Sequence, residues 1–142
     1  MSEVQSPWEE PLHPRYPGPE LLQLPGIDQL RLLIDGAGPR PPISYLTGMG
    51  PTEVGLGTST FTMPATRWLL SPQGLISVGT LAILADGPLG CAVQSALPPM
   101  TAYATSELSL RQLRPARADG ALIALGTLVH AGRSLGLSRV QI

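Results

Sequence analysis

The stretch from Gly74 to Leu97, GLISVGTLAILADGPLGCAVQSAL, constrains this chain more than any other. It is apolar on nearly every side and carries one charge, Asp86, near its middle. A helix hydrophobic all round is buried, in a protein core or in a bilayer. An ionised carboxylate in such a place costs several kcal/mol unless it is paired or put to use. Gly74, Gly79, Gly87 and Gly90 admit close backbone neighbours, and Pro88, without an N–H, is expected to kink or restart the helix.

Three readings of the stretch compete. Its length suits a membrane span. The central Asp-Gly-Pro, Gln94, Ser95 and the lack of a flanking cluster of positive charge speak against one. In the second reading Asp86 is punctuation, its carboxylate capping a second half-helix by accepting backbone N–H groups. In the third, Asp86 is a catalytic carboxylate on a buried helix whose Gly-rich approach presents N–H donors. Composition leaves the last two open.

A chain of 142 residues suits one domain with a sizeable core, and 43% hydrophobic with 13% charged residues marks it as globular. The net charge of −1 removes any bulk electrostatic case for nucleic acid. Charge is nonetheless uneven. Residues 1–60 carry seven acids against Arg15, Arg31 and Arg40, whereas from residue 101 onward Arg111, Arg114, Arg117, Arg133 and Arg139 face only Glu107 and Asp119. Such a basic C-terminal third either receives an anionic small molecule or solvates a sheet face. Cys91 is the only cysteine, so no intrachain disulfide exists and a reducing, cytoplasmic setting is expected. Within an apolar helix and without a neighbouring base, it reads as a small core residue. The N-terminus lacks the basic-then-apolar pattern of a signal peptide. No zinc-ligand or P-loop spacing occurs, so neither metal nor resident cofactor is expected.

Along the chain, residues 1–25 hold six of the sixteen prolines, with Trp8 and Tyr16, and read as an extended arm that needs an apolar resting place. Residues 26–142 form the domain. Ile27, Leu30, Leu33 and Ile34 make a helical stripe over Gly26–Ile34, with Asp28 near its start and Gly36 after its end. ISYLTG and VGLGTSTFTM, between Ile43 and Met63, are rich in β-branched and aromatic residues and read as strands separated by a GMGPTE turn. After the central helix, Ala102–Leu113 reads as a strand by alternation, Ala121–Ala131 as a long strand apolar on both faces, and Leu135–Ile142 as a last strand. One long helix against an antiparallel sheet is an α+β arrangement. A strand apolar on both faces calls for a partner subunit or second domain.

The run SPQGLISVGTLAILADGPLGCAVQSALPP, followed by TSELSLRQLRPA and LVHAGRS and preceded by PPISYLTG, resembles the PaaI-like acyl-CoA thioesterases of the hotdog fold over roughly Pro41 to Ile142. The resemblance implies a long central helix wrapped by an antiparallel sheet, with homodimers or homotetramers that place active sites between subunits. That family carries a His-Gly-Gly ahead of the helix, with the catalytic carboxylate nine residues after the His. Counting back from Asp86 places Ser77-Val78-Gly79 there, and six residues earlier Ser71 stands where Asn or Gln is usual. By resemblance, Asp86 activates water or attacks the thioester and the Val78 N–H polarises its carbonyl, with Gly79, Ser77 and Ser71 around them. Arg133, Arg114, Arg117 and His130 are then the residues nearest coenzyme A. The two serines favour a second expectation, a non-catalytic hotdog module that binds acyl-CoA or completes a dimer. Relatives continue with another strand where this chain stops, so a domain short of its last strand, or half of a tandem double hotdog, is also expected.

Overall fold

The computed structural model describes residues 18–38 and 40–142; most of the arm, with Trp8, Arg15 and Tyr16, lies outside the described residues. After a single 3-10 turn at Leu21–Gln23 comes helix α1, Gly26–Ile34, at the expected bounds, with Gly36 beyond its end at φ +74°. Helix α2 spans Pro42–Thr47 and helix α3 spans Val78–Gln94. Strands β1 (Gly50–Gly55), β2 (Thr58–Pro64), β3 (Ala121–Ala131) and β4 (Gly136–Gln141) form one antiparallel sheet in the order β1-β2-β3-β4. The sheet curls around α3, which packs on all four strands. This is the α+β hotdog arrangement.

Period-2 burial sets the inner face of the sheet. Ser59, Phe61 and Met63 of β2 point inward, as do Ala124 and Gly126 of β3. They meet Leu84, Ala85, Pro88, Cys91 and Ala92 of α3. Small residues decide how closely the layers approach. A Cβ on Gly126 would collide with the Pro88 carbonyl, and one on Gly87 would lie 2.7 Å from the Phe61 ring. Helix and sheet are therefore in near backbone contact at Pro88, which is fully buried. Polar side chains fasten what apolar packing aligns. The Ser138 hydroxyl donates to the Leu89 carbonyl at 2.9 Å, Ser95 Oγ accepts from the Gly57 N–H at 2.7 Å, and Gln94 Nε2 donates to Gln29 Oε1 at 3.1 Å, tying α1 to the end of α3.

Several expectations need correction. ISYLTG is helical, not a strand. Pro42 at the first helical position presets φ, and Gly48 at φ +72° ends the helix by donating to the Ser44 carbonyl. GMGPTE is not a turn; most of it is β1, and the chain reverses at Leu56 and Gly57. Pro51 sits at a register shift on this edge strand, where a missing N–H disrupts little. Helix α3 starts at Val78, because Gly74 belongs to a turn closed by its N–H to the Ser71 carbonyl. It also runs unbroken through Pro88, at the expense of the Leu84 carbonyl, which receives no N–H from a proline four residues on. With 17 residues wrapped by a sheet it is no bilayer span, and no helix of the described residues is long and apolar enough to cross a membrane.

Ala102–Leu113 is extended but belongs to no strand, because it finds no ladder partner among the described residues. Leu110 anchors it by packing with Ile76 and Leu81. The outer face of the sheet is open: Ile123 is 59% and Val129 56% exposed, and Leu125 lies between them.

One buried group stands out. Ser59, on the inner face beside Gly126, is 1% exposed, and its hydroxyl has no hydrogen-bond partner among the described residues. A buried unpaired hydroxyl costs about 1–3 kcal/mol. Ser59→Ala removes that cost with little change of volume, so it should raise unfolding stability by about 1 kcal/mol in a urea titration; a drop of similar size would reveal a partner for the hydroxyl.

Candidate active site

The sheet leaves one side of α3 bare. Gly79, Ile83, Asp86 and Gly90 follow a helical i, i+4, i+7, i+11 stripe, and the first three are exposed. The extended 102–113 segment crosses this stripe. Tyr103 lays its ring and hydroxyl against Gly90, where a Cβ would overlap it, and Thr105 Oγ1 donates to Asp86 Oδ1 at 2.8 Å. Gly90 is thus small because a tyrosine lies on it. Asp86 is neither deeply buried nor a helix cap: it lies within α3 on the face left uncovered by the sheet.

Beside the stripe opens a cavity of about 800 Å³, bounded by α2, the linker after α1, the start of β1 and α3. Its apolar wall includes Met49, Phe61, Ile83 and Cys91; Tyr103 stands on another side. Asp86 and Arg40 are the only charged side chains among its described lining residues. Burial, and then the nearby Asp86 charge, push the Cys91 thiol up to about 12. The Tyr103 hydroxyl is likewise raised, by burial first and then by Cys91 and Asp86. Both groups are protonated at neutral pH. No group of three or more His, Cys, Asp or Glu side chains able to hold a metal occurs among the described residues.

The other residues singled out in sequence fall elsewhere. Ser77 is the N-cap of α3: its Oγ accepts from the Thr80 N–H at 3.2 Å and lies 2.9 Å from Thr80 Oγ1. Ser71 is in the preceding turn, its N–H donating to the Leu75 carbonyl at 2.7 Å. Val78 and Gly79 are the first two residues of α3, where no carbonyl one turn back within the helix accepts their N–H groups. Val78 is half exposed. Arg114, Arg117, His130 and Arg133 are all exposed. None of these eight residues lines the cavity, so within one chain only Asp86 of the expected set does. Thr105, Tyr103 and Arg40 escaped the sequence reading. Thr105 is 19 residues from Asp86, and only the path of an unpaired segment across α3 brings the two together.

No protein-family model matches the chain. A stretch of 72 residues is 40% identical to a Halobacterium salinarum protein named "Putative esterase VNG_1336C", covering 49% of this chain and 46% of that protein; the match spans about half the length of this curated relative. Among solved structures, a thioesterase family protein from Silicibacter pomeroyi superposes with a TM-score of 0.69 at 22% identity, over 77% of this chain and 79% of that one. The thioesterase HI1161 of Haemophilus influenzae gives 0.66 at 20% identity, over 80% and 76%. The E. coli PaaI protein, from the phenylacetic acid degradation operon, gives 0.62 at 23% identity, over 80% and 79%. With its long helix wrapped by an antiparallel sheet, the chain has the hotdog fold of the PaaI-like thioesterases.

Proposed function

We propose that this chain is a thioester hydrolase acting on an acyl-CoA, with Asp86 as its general base. The observation that carries this reading is a carboxylate at the wall of a largely apolar cavity, with Oδ1 held by Thr105 and Oδ2 left without a protein donor among the described residues. One oxygen is fixed and the other is available to a water. In the step we propose, Oδ2 takes a proton from water as the water oxygen bonds to the thioester carbon. The tetrahedral oxyanion then collapses, the C–S bond breaks, and the proton passes to the departing thiolate, leaving acid and thiol. A positioned base contributes about 10²–10⁴ in rate, and oriented N–H groups stabilise the oxyanion further.

The oxyanion donor we assign is the Val78 N–H, from a second copy of the chain. Val78 and Asp86 lie eight residues apart, about 12 Å along the helix axis, and the cavity that holds Asp86 includes neither Val78 nor Gly79. Two further features support assembly: the extended 102–113 segment has no ladder partner among the described residues, and the outer sheet face exposes Ile123, Leu125 and Val129. In such a dimer the exposed Arg114, Arg117 and Arg133, with His130, are available to the nucleotide of coenzyme A. A non-catalytic acyl-CoA-binding module is the second reading. Ser77 favours it, because its hydroxyl caps α3 and does not face the cavity.

Release of thiol from a panel of short, aromatic and long acyl-CoAs decides between the two. Asp86→Asn should lower turnover by at least a hundredfold while acyl-CoA still binds; binding without turnover in the wild type supports the module. A mixing experiment tests the shared site. Val78→Pro deletes the N–H at the first helical position, where proline is well accepted, and Ser77 before it already has the extended backbone a proline requires. Each single variant should be inactive. Co-refolded with Asp86→Asn, it should recover up to about a quarter of wild-type activity, since each mixed dimer regains one intact site of two. No recovery in a confirmed mixed dimer places donor and base in one chain.

Cys91 also lines the cavity but is a poor nucleophile. A rise from the ordinary value of 9.0 to about 12 cuts the thiolate fraction at pH 8 about a thousandfold. Iodoacetamide should therefore modify Cys91 of the folded protein about a thousandfold more slowly than an unhindered thiol, with the rate climbing between pH 9 and 12. Rapid labelling at pH 8 would return Cys91 to consideration as the nucleophile.

A further inference from the structure

We propose that Arg40 is the anion-recognising residue of the Asp86 cavity, holding a carboxylate or phosphate carried by the ligand. This goes beyond the hydrolase reading but takes from it the idea that the ligand is a thioester. Among the described lining residues Arg40 is the only cation, and Asp86 the only other charged side chain. It forms no ion pair among the described residues, where the single salt bridge joins Arg31 to Asp28. Arg40 is exposed, so its guanidinium is solvated and within reach of an anion entering the cavity.

Local structure aims the side chain. Arg40 precedes Pro41-Pro42, and a residue before proline is confined to extended backbone. Pro41 is itself extended, at φ −70° and ψ 153°, and Pro42 opens α2. The guanidinium is then propped from two sides. Its Nη2 donates to the Ser44 carbonyl at 3.3 Å, and its centre lies 5.1 Å from the Tyr45 ring centroid. Cation–π contact at that distance orients the plane without using its N–H groups. One donor is used and four remain, enough for the bidentate grip that arginine makes on a carboxylate or phosphate.

The arrangement separates two tasks. Asp86 repels anions from its own part of the wall, while Arg40, which forms no ion pair with it, attracts one. A ligand with a neutral electrophilic carbonyl and an anionic group some bonds away satisfies both. Two sources of that anion fit the same chemistry: a second carboxylate at the far end of the acyl group, or a phosphate of the coenzyme A carrier.

Calorimetric titration with unreactive thioethers separates them, and needs no turnover. The probes are the carboxybutyl and the neutral pentyl thioether of coenzyme A, and the same two groups on phosphate-free N-acetylcysteamine. If Arg40 takes an acyl carboxylate, Arg40→Gln should weaken both carboxybutyl probes about tenfold and leave both pentyl probes unchanged. If it takes a phosphate, both coenzyme A probes should weaken about tenfold and neither phosphate-free probe should change. Arg40→Lys, which keeps the charge, should recover most of the loss in either case. Equal affinities for wild type and Arg40→Gln with all four probes overturn the proposal. So does an equal loss with the pentyl N-acetylcysteamine probe, which carries no anion, because Arg40 would then only shape the wall. Absence of binding by any probe to the wild type overturns the cavity as a ligand site and the role of Arg40 with it. Failure of Asp86→Asn to alter turnover leaves these titrations untouched, so the two readings stand or fall separately.

Discussion

The sheet wraps α3 because backbone meets backbone where Gly126 of β3 faces the carbonyl of Pro88. Any side chain at Gly126 would push β3 off the helix, and the close fit around it depends on small neighbours: Ala85 and Ala92 on the helix, Ala124 on the strand. Dispersion falls off within an ångström of lost contact, so this closeness is what makes burial of so apolar a helix effective. Pro88 belongs to the same solution. Its ring fills the inner face and is fully buried, and the lost hydrogen bond to Leu84 is the cost of placing it there. The four strands then continue around the helix as far as the stripe of Gly79, Ile83, Asp86 and Gly90, and the site exists where the wrapping stops.

That geometry explains what could be read from sequence. Elements that announce themselves by long period or firm boundaries were legible: α1 between Pro25 and Gly36, the body of α3, and β3 and β4 on either side of Gly132-Arg133-Ser134. Short segments were not. Ile43, Tyr45 and Thr47 carry strand propensity, yet Pro42 and Gly48 impose a helix of six residues on them. Propensity summed over so few residues is weaker than one proline at the first helical position. Ala102–Leu113 shows the converse. Its alternation is that of a strand, but a strand is a relation between two segments, and the described residues supply only one.

The same distinction runs through the candidate site. Asp86 was visible because a charge in an apolar helix is an anomaly within its own neighbourhood. Ser77 was placed by counting from Asp86, and its position at the end of α3 suits a cap as well as a catalytic helper; only the bond from the Thr80 N–H to its hydroxyl chooses the cap. Thr105, Tyr103 and Arg40 carry no local signal at all. They become site residues because an unpaired segment and a proline-stiffened linker converge on one side of α3.

In the function we propose, the bare stripe also links catalysis to assembly. A helix wrapped on every side would hold Asp86 out of reach of water, and a helix uncovered on this side without the 102–113 segment would leave its carboxylate free to rotate. Thr105 fixes one oxygen and leaves the other accessible. The segment that carries Thr105 is, however, an exposed extended strip with no ladder partner among the described residues, the kind of edge that recruits another chain. Tyr103 and Thr105 thus sit on a stretch that touches the carboxylate and, among the described residues, is open to pairing. In the dimer we propose, fixing that stretch by pairing would also fix Thr105 over Asp86, so the order of the site would depend on the contact that completes it.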